Sequence, residues 1–480
     1  MKRKQGPITS SSQTKKTKES DTAVLLQDLL DFSQGVNTEE DIERRFKHIA
    51  VTLLHGLHLV VVQHDEDTKE IEFEILEAEF YLLLGGRYED PFTHFGEEQK
   101  IGGQWCVVSV LIVLSYHLDW PANGNRHFHR APRKTADSHR SSTSLKGYRG
   151  GTRKGLDLTI GRTIPPVFSK HFVPVPPVSN PPKLHHEFRD QQPLCGGILL
   201  RSLRELGPNG KVISGPSLLV DHIINVSGAS SISDLVENKW AGDTCAFLSG
   251  KDERSTRLFL RPVHESSSTS SSTRSASTIY FSPRIGLDLS HPGTTNPEIL
   301  PLHPRIQFLP KPYRFFTHPQ ELVANGRPQT FLGVLSLCIS TNSDFTEALK
   351  KPLLSQEIAA LMGLKEPTCA KYLAEYVAGR EGGVDLLKSF VGAKGKGASS
   401  SPSSYLKMMG ALSNLIPPFK LWRESKYSGY ICSFFAVDIN ALEKHIRLTF
   451  RLPTSSLPTW EETTELSYYP MIGQTFQHLT

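Results

Sequence analysis

Cysteine is scarce in this chain: six in 480 residues, at positions 106, 195, 245, 338, 369 and 432, with no CxxC pair among them. That spacing argues against a zinc ribbon and against a disulfide framework, and favours a reducing compartment. Long apolar runs are missing as well. The longest apolar-leaning stretch, 106–114, falls far short of the roughly 20 residues needed to cross a bilayer, so no membrane partner is expected. Met1–Ser20 lacks the apolar segment of a secretory signal. The Gly/Lys stretch 392–397 does not end in GK[ST], and no G-x-S-x-G occurs, so phosphate-loop and nucleophile-elbow chemistry find no support. His127, His129, His139 and the His185–His186 pair have neither an HExxH spacing nor a cysteine partner. They read as loop histidines, and no metal or other cofactor is expected.

What remains is enough to build on. At 38% hydrophobic residues the chain can bury real cores, and its length accommodates two to three domains. The net charge of +5 is modest, but its distribution is uneven. Residues 126–154 carry nine Lys or Arg against the single acid Asp137, a surplus suited to phosphate contacts or to a solvated basic loop. The basic clusters Lys2–Lys4 and Lys15–Lys18 read equally as a nuclear address or as a disordered solubilising tail.

Residues 1–20 are expected to be a disordered basic tail. Val24, Leu25, Leu29, Phe32, Ile42, Phe46 and Ile49 then recur at helical spacing, and strand patterns follow at 57–62, 71–84 and 197–203. Polar, Pro-rich or Ser/Thr-rich interruptions at 163–193 and 266–278 read as insertions. A compact block covers 284–335, a largely helical region follows over 345–450, and 451–480 reads as a tail. The fold class is α+β: one mixed domain over 21–335, with a curved, mostly antiparallel sheet and surrounding helices, plus the helical region.

The informative strand is Glu77-Ala78-Glu79-Phe80-Tyr81-Leu82. Side chains alternate across a strand, so Glu77, Glu79 and Tyr81 share one face while Phe80 and Leu82 share the other. One face can pack on a core, leaving a carboxylate beside an aromatic ring on the other. Taken alone, a solvated edge strand fits this pattern as well.

A series of segments in fixed order speaks against that plain reading. Asp90-Pro91-Phe92-Thr93-His94 is followed by Phe128-His129-Arg130, then by Gly155-Leu156-Asp157-Leu158-Thr159. Gly197–Arg204, Ile213–Ser217, Arg284-Ile285-Gly286 and Lys311–Phe316 complete it. Over about residues 70–335 this order resembles the alkyladenine (3-methyladenine) DNA glycosylase family. That family reads E-[TA]-E-x-Y-L, D-x-x-x-H, a tyrosine-rich hairpin, [IL]-[IL]-R-[AS], S-G-P, R-[IV]-G and K-P-x-R-F.

The resemblance implies a monofunctional hydrolase that releases alkylated purines from damaged double-stranded DNA in the nucleus, acting as a monomer without a cofactor. It makes Glu79 the general base and Arg201 its support. Tyr81 and His94 would stack on the extruded base, Phe128 would take the second aromatic place, and Asp157 would line the pocket. Tyr148 is the candidate wedge in the duplex. Arg149, Arg153, Lys154 and the turn residues Ser214 and Gly215 would contact the backbone. These roles suit the chemistry: a duplex base must be flipped out before its glycosidic bond is reached. Aromatic rings hold a cationic purine, and a carboxylate deprotonates water and faces the developing oxocarbenium.

The chain departs from the family in two places. Asp157 stands where the family carries Asn, and the tyrosine-rich hairpin is broken. Residues 106–127 separate Trp105 from Phe128, and excising them would join Gln104-Trp105 to Phe128-His129-Arg130. The segment is either an insertion or retained intron, or a buried strand with its loop. Residues 355–374 also match a helix-turn-helix pattern, with an ordinary helical hairpin as the plainer reading. A non-enzymatic DNA-binding protein and an inactive glycosylase-like scaffold therefore stand as alternatives.

Overall fold

In the computed structural model the described residues are 13–64, 68–93, 97–109, 154–163, 193–207, 210–247, 256–263, 277–289, 303–322, 326–340, 345–391 and 401–416. Of the sequence-predicted positions, His94, Phe128, Tyr148, Arg149 and Arg153 lie outside them, as do most of the three insertions and the 451–480 tail.

The spine is one long strand, β2 (Thr68–Leu84). On one side it pairs along most of its length with β6 (Leu194–Glu205). Its other side is shared in turn by β1 (Leu57–His64), β10 (Arg314–Phe316) and β3 (Tyr88–Glu89). The sheet extends outward from β6 through β5 (Lys154–Ile160) to β4 (Trp105–Ser109), and from β1 to β8 (Thr256–Pro262). Short β7 (Val212–Ser214) pairs β6, and β9 (Tyr280–Ser282) pairs β10. Every one of these pairings is antiparallel. The fold is α+β, a curled antiparallel sheet with helices around it.

Both faces of the sheet are covered. Against one lie α1 (Gln13–Leu30), α2 (Glu39–Val51) and α3 (Pro216–Val226), with Ile42, Phe46 and Ile49 buried as their spacing predicts. A capping box, Thr38 with Asp41, starts α2 by satisfying its first free N–H groups. Two details of the N-terminal reading need correction. Helix α1 begins at Gln13, inside the expected disordered tail, and its Lys, Gln and Leu residues are good helix formers. Its inward face is Leu26 and Leu30, while Val24 and Leu25 are half exposed.

The other face meets α5 (Arg327–Ser340), α7 (Leu354–Met362), α8 (Glu366–Lys388) and α9 (Pro402–Leu412); the short α4 (Pro304–Phe308) precedes β10, and the short α6 (Phe345–Leu349) lies between α5 and α7. Leu76, Tyr280 and Phe316 from the strands share one apolar cluster with Phe331, Ile358, Tyr376 and Met408. The C-terminal helices therefore complete the sheet's second core rather than standing apart. Strand β4 pairs β5 from Trp105 to Ser109, so the segment marked as an insertion begins as a genuine sheet strand.

Candidate active site

Two irregularities in the β2–β6 ladder create the site. Ile75 pairs Leu203 and Glu77 pairs Ser202, leaving Leu76 without a partner; Ala78 pairs Leu200, leaving Arg201 without one. An extra residue reverses the inward–outward alternation beyond it. Upstream, Phe73 and Ile75 face the α1–α3 core; downstream, Ala78, Phe80 and Leu82 do so instead. Glu77, Glu79 and Tyr81 are thereby turned to the opposite face. The bulge at Arg201 lets Arg201 reach both Glu77 and Glu79 while its neighbour Ser202 reaches Glu77 as well.

All of these groups are buried. Arg201 Nη1 donates to Glu79 Oε2 at 3.1 Å, and its Nε lies 3.3 Å from Glu77 Oε1. The second Glu79 oxygen accepts the backbone N–H of Ile285 at 2.7 Å. That N–H is aimed by its neighbour, because Arg284 grips Asp90 with both terminal nitrogens, at 2.7 and 3.1 Å, and donates to the Phe80 carbonyl at 3.2 Å. Such a planar fork holds geometry as well as charge. Each Glu79 oxygen keeps acceptor capacity beyond these donors.

Glu77 is not the solvated neighbour an edge strand would supply. Arg314 Nε donates to its Oε1 at 2.5 Å, and Ser202 Oγ to its Oε2 at 2.5 Å. The rest of the Arg314 guanidinium is fixed by Ser282 Oγ at 2.9 Å, Thr330 Oγ1 at 3.0 Å and the ring of Phe316. Burial alone would raise the Glu77 pKa, but Arg314 and Arg201 outweigh it and hold the carboxyl below its ordinary range. Burial works against the Arg201 cation too, yet Glu79 and Glu77 overcome it and raise its pKa. The row is two anions and two cations, Glu77, Glu79, Arg201 and Arg314.

Further along β2, the Tyr81 hydroxyl donates to Asp157 Oδ2 and receives Gln99 Nε2 at 2.7 Å. Gly197 is the cross-strand partner of Tyr81, and a Cβ there would fall 2.7 Å from Tyr81 Cζ and closer still to its hydroxyl. Only glycine lets the phenol lie across β6. Burial, with some contribution from Glu79, pushes the Asp157 carboxyl up to about 7.

Glu79, Arg201, Tyr81 and Asp157, four sequence-predicted site residues, thus lie on one face of adjacent strands. The Ser214–Gly215 turn borders them: Ser202 Oγ lies 3.2 Å from Ser214 Oγ, and Gly215 N–H donates to the Arg201 carbonyl at 2.8 Å. Gly215 has φ +115°, which favours glycine at this strand-to-helix corner. Lys154 sits apart from the acid row, its ammonium 2.5 Å from Asp221 on α3. The 355–374 pattern forms a helical hairpin, α7 and α8, joined through left-handed Gly363; Ile358, Met362, Cys369 and Tyr372 are buried.

Sequence reasoning missed the partners that orient the acids. Arg314, Arg284, Asp90 and Gln99 received no roles, although three of them stand inside the motif series. An arginine within an otherwise apolar strand, as in Arg314-Phe315-Phe316, was the available signal, since a buried cation requires an anion.

Fold and site together define an α+β protein with a buried carboxylate–guanidinium row on a curled sheet. The chain matches no protein-family model and no curated protein.

Proposed function

We propose that this protein is a monofunctional DNA glycosylase that hydrolyses the N-glycosidic bond of alkylated purines after flipping them from the duplex. The observation that carries the reading is the Glu79 carboxylate, held from two directions by Arg201 and Ile285 N–H on the face it shares with Tyr81 and Asp157. Glu79 takes a proton from water as the oxygen attacks C1′. Its negative charge faces the sugar as the bond to the base lengthens and positive charge develops there. Arg201 holds the carboxylate in one orientation, which removes the cost of ordering it during the reaction. Tyr81 offers the aromatic surface suited to a flipped, electron-poor base.

The test is single-turnover release of base from a duplex carrying one alkylated adenine, read as strand breaks after alkaline cleavage of abasic sites. The wild type should release the base. Glu79→Gln should bind the duplex normally but lose about 10²–10⁴ in rate, the usual contribution of a general base. Equal rates for the two proteins would remove Glu79 from the mechanism.

A further inference from the structure

Two arginines from different segments approach the ring of Phe92. The Arg284 guanidinium carbon lies 5.3 Å from the ring centroid, and that of Arg305, in α4, lies 4.9 Å from it. Only one of these cations has an anion of its own. Arg284 is buried and takes both oxygens of Asp90, at 2.7 and 3.1 Å. Arg305 is half-buried, and among the described residues no carboxylate pairs with it. Burial lowers its pKa, and Asp288 and Asp90 offset that only in part. A cation drawn out of water without a partner costs free energy that a bound anion would recover.

A second polar group at this corner also lacks a partner. Thr93, the next residue after Phe92, is 5% exposed, and among the described residues its hydroxyl has no hydrogen-bond partner. The backbone here is already fixed. Phe92 N–H donates to Asp90 Oδ1 at 3.0 Å, and Thr93 N–H to the Asp90 carbonyl at 3.1 Å. Neither amide is left to answer the Thr93 hydroxyl or the Arg305 cation.

The corner adjoins the Glu79 site. Asp90 grips Arg284, and the next residue, Ile285, donates its N–H to Glu79. Arg305 is thus linked to Glu79 through Phe92 and the Arg284–Ile285 turn. It also lies outside the basic stretch 126–154, where the sequence alone places phosphate contacts.

We propose that Arg305, with the Thr93 hydroxyl, binds a backbone phosphodiester of the DNA beside the flipped nucleotide. This rests on the glycosylase reading and adds a substrate contact to it. A nucleotide whose sugar sits over Glu79 keeps a phosphate on each side of that sugar, within reach of the residues bordering the site. A phosphodiester is a monoanion with two non-bridging oxygens. The edge of a guanidinium offers paired N–H donors to two such oxygens while its flat face stays on an aromatic ring. The Thr93 hydroxyl donates to one of the same oxygens. Phe92 already restrains the Arg305 side chain, so less freedom is lost on binding. Contacts of this kind fix register on the duplex and carry no base preference.

The test is the salt dependence of binding to a duplex containing a tetrahydrofuran abasic analogue, which has no base to release. Fluorescence anisotropy over about 50–300 mM NaCl compares wild type, Arg305→Gln and Arg305→Lys. Loss of one phosphate contact in Arg305→Gln should make the log–log slope shallower by about 0.9 and weaken binding about eightfold at roughly 0.1 M salt. Arg305→Lys keeps the charge and should keep the slope. Replacing single phosphates around the analogue by neutral methylphosphonate locates the contact. At one position the wild type should weaken and Arg305→Gln should not weaken further. A slope in Arg305→Gln equal to that of the wild type overturns the proposal, and base release by the wild type then leaves the glycosylase reading standing. Should Arg305→Gln fail to fold, the Arg305 Nε–Hε resonance of the wild type decides. It should shift when duplex is added. A resonance that moves with inorganic phosphate but not with duplex would assign the site to free phosphate and overturn the proposal. A wild type that binds no duplex removes both readings.

Discussion

Arg201 meets Glu79 at 3.1 Å because it is the extra residue of a bulge, not because it is the cross-strand partner, a place taken by Leu199. Without that bulge the Leu199–Leu200–Arg201–Ser202 alternation would send Arg201 and Ser202 to opposite faces. With it, both reach the acids of β2. One guanidinium then spans Glu77 and Glu79, and its loss would leave two buried anions with one fewer cation.

Arg201→Ala is accordingly expected to cost about 3–5 kcal/mol, the usual penalty for breaking a buried ion pair from one side. Arg201→Lys keeps the charge but loses the planar fork that serves two carboxylates, and should recover part of that loss. Urea denaturation midpoints of the three proteins check the order wild type, Lys, Ala.

Glu77→Gln should destabilise by a similar amount, because Arg314 would be left buried without its anion. The acid limb of stability should change with it. The Glu77 pKa is depressed in the folded protein, so its contribution is present above the ordinary carboxylate range and is lost as pH falls through the folded value. Thermal unfolding of wild type and Glu77→Gln between pH 3 and 7 should therefore converge as pH falls. A constant gap would show that Glu77 is not the titrating group.

Asp157 has the opposite sign. Its folded pKa, about 7 against an ordinary 3.8, means the folded protein keeps a proton that the unfolded chain releases. Stability falls as pH rises through that window, and the penalty is complete above 7. At about 1.4 kcal/mol per pKa unit, Asp157→Asn should be more stable than wild type by a few kcal/mol at pH 8. At pH 4 the difference should nearly vanish. Melting curves at the two pH values test this directly.

Gly197→Ala places a methyl against the Tyr81 phenol and should force the ring off β6. Overpacking of this kind costs about 1–3 kcal/mol. The Tyr81–Asp157 hydrogen bond should break with it, leaving the Asp157 carboxyl without its only described donor and raising its pKa further. NMR titration of the Asp157 side-chain carboxyl carbon reads that shift. An unchanged titration would mean that the ring has not moved.

The alternation of Glu77, Glu79 and Tyr81 against Phe80 and Leu82 was legible in the residues themselves, because a strand's period of two assigns faces without reference to anything distant. So were the buried face of α2 and the separate strands that became β1, β2 and β6. The helical character of the described residues 345–391 and 401–416 was readable from spacing for the same local reason. What the pattern could not determine is which acid is a solvated bystander. Glu77 and Glu79 look alike in sequence, and it takes Arg201 and Arg314, the latter some 237 residues away along the chain, to hold Glu77 as an interior ion. The bulges at Leu76 and Arg201 are properties of two strands in register, and no single strand carries them. Asp157 becomes a proton-holding acid only when β5 is laid beside β6, which buries its carboxyl and brings it near the charge of Glu79. Local periodicity chose the faces. Long-range pairing decided the charges, since the energy of a buried ion depends on neighbours that the chain brings together only by folding.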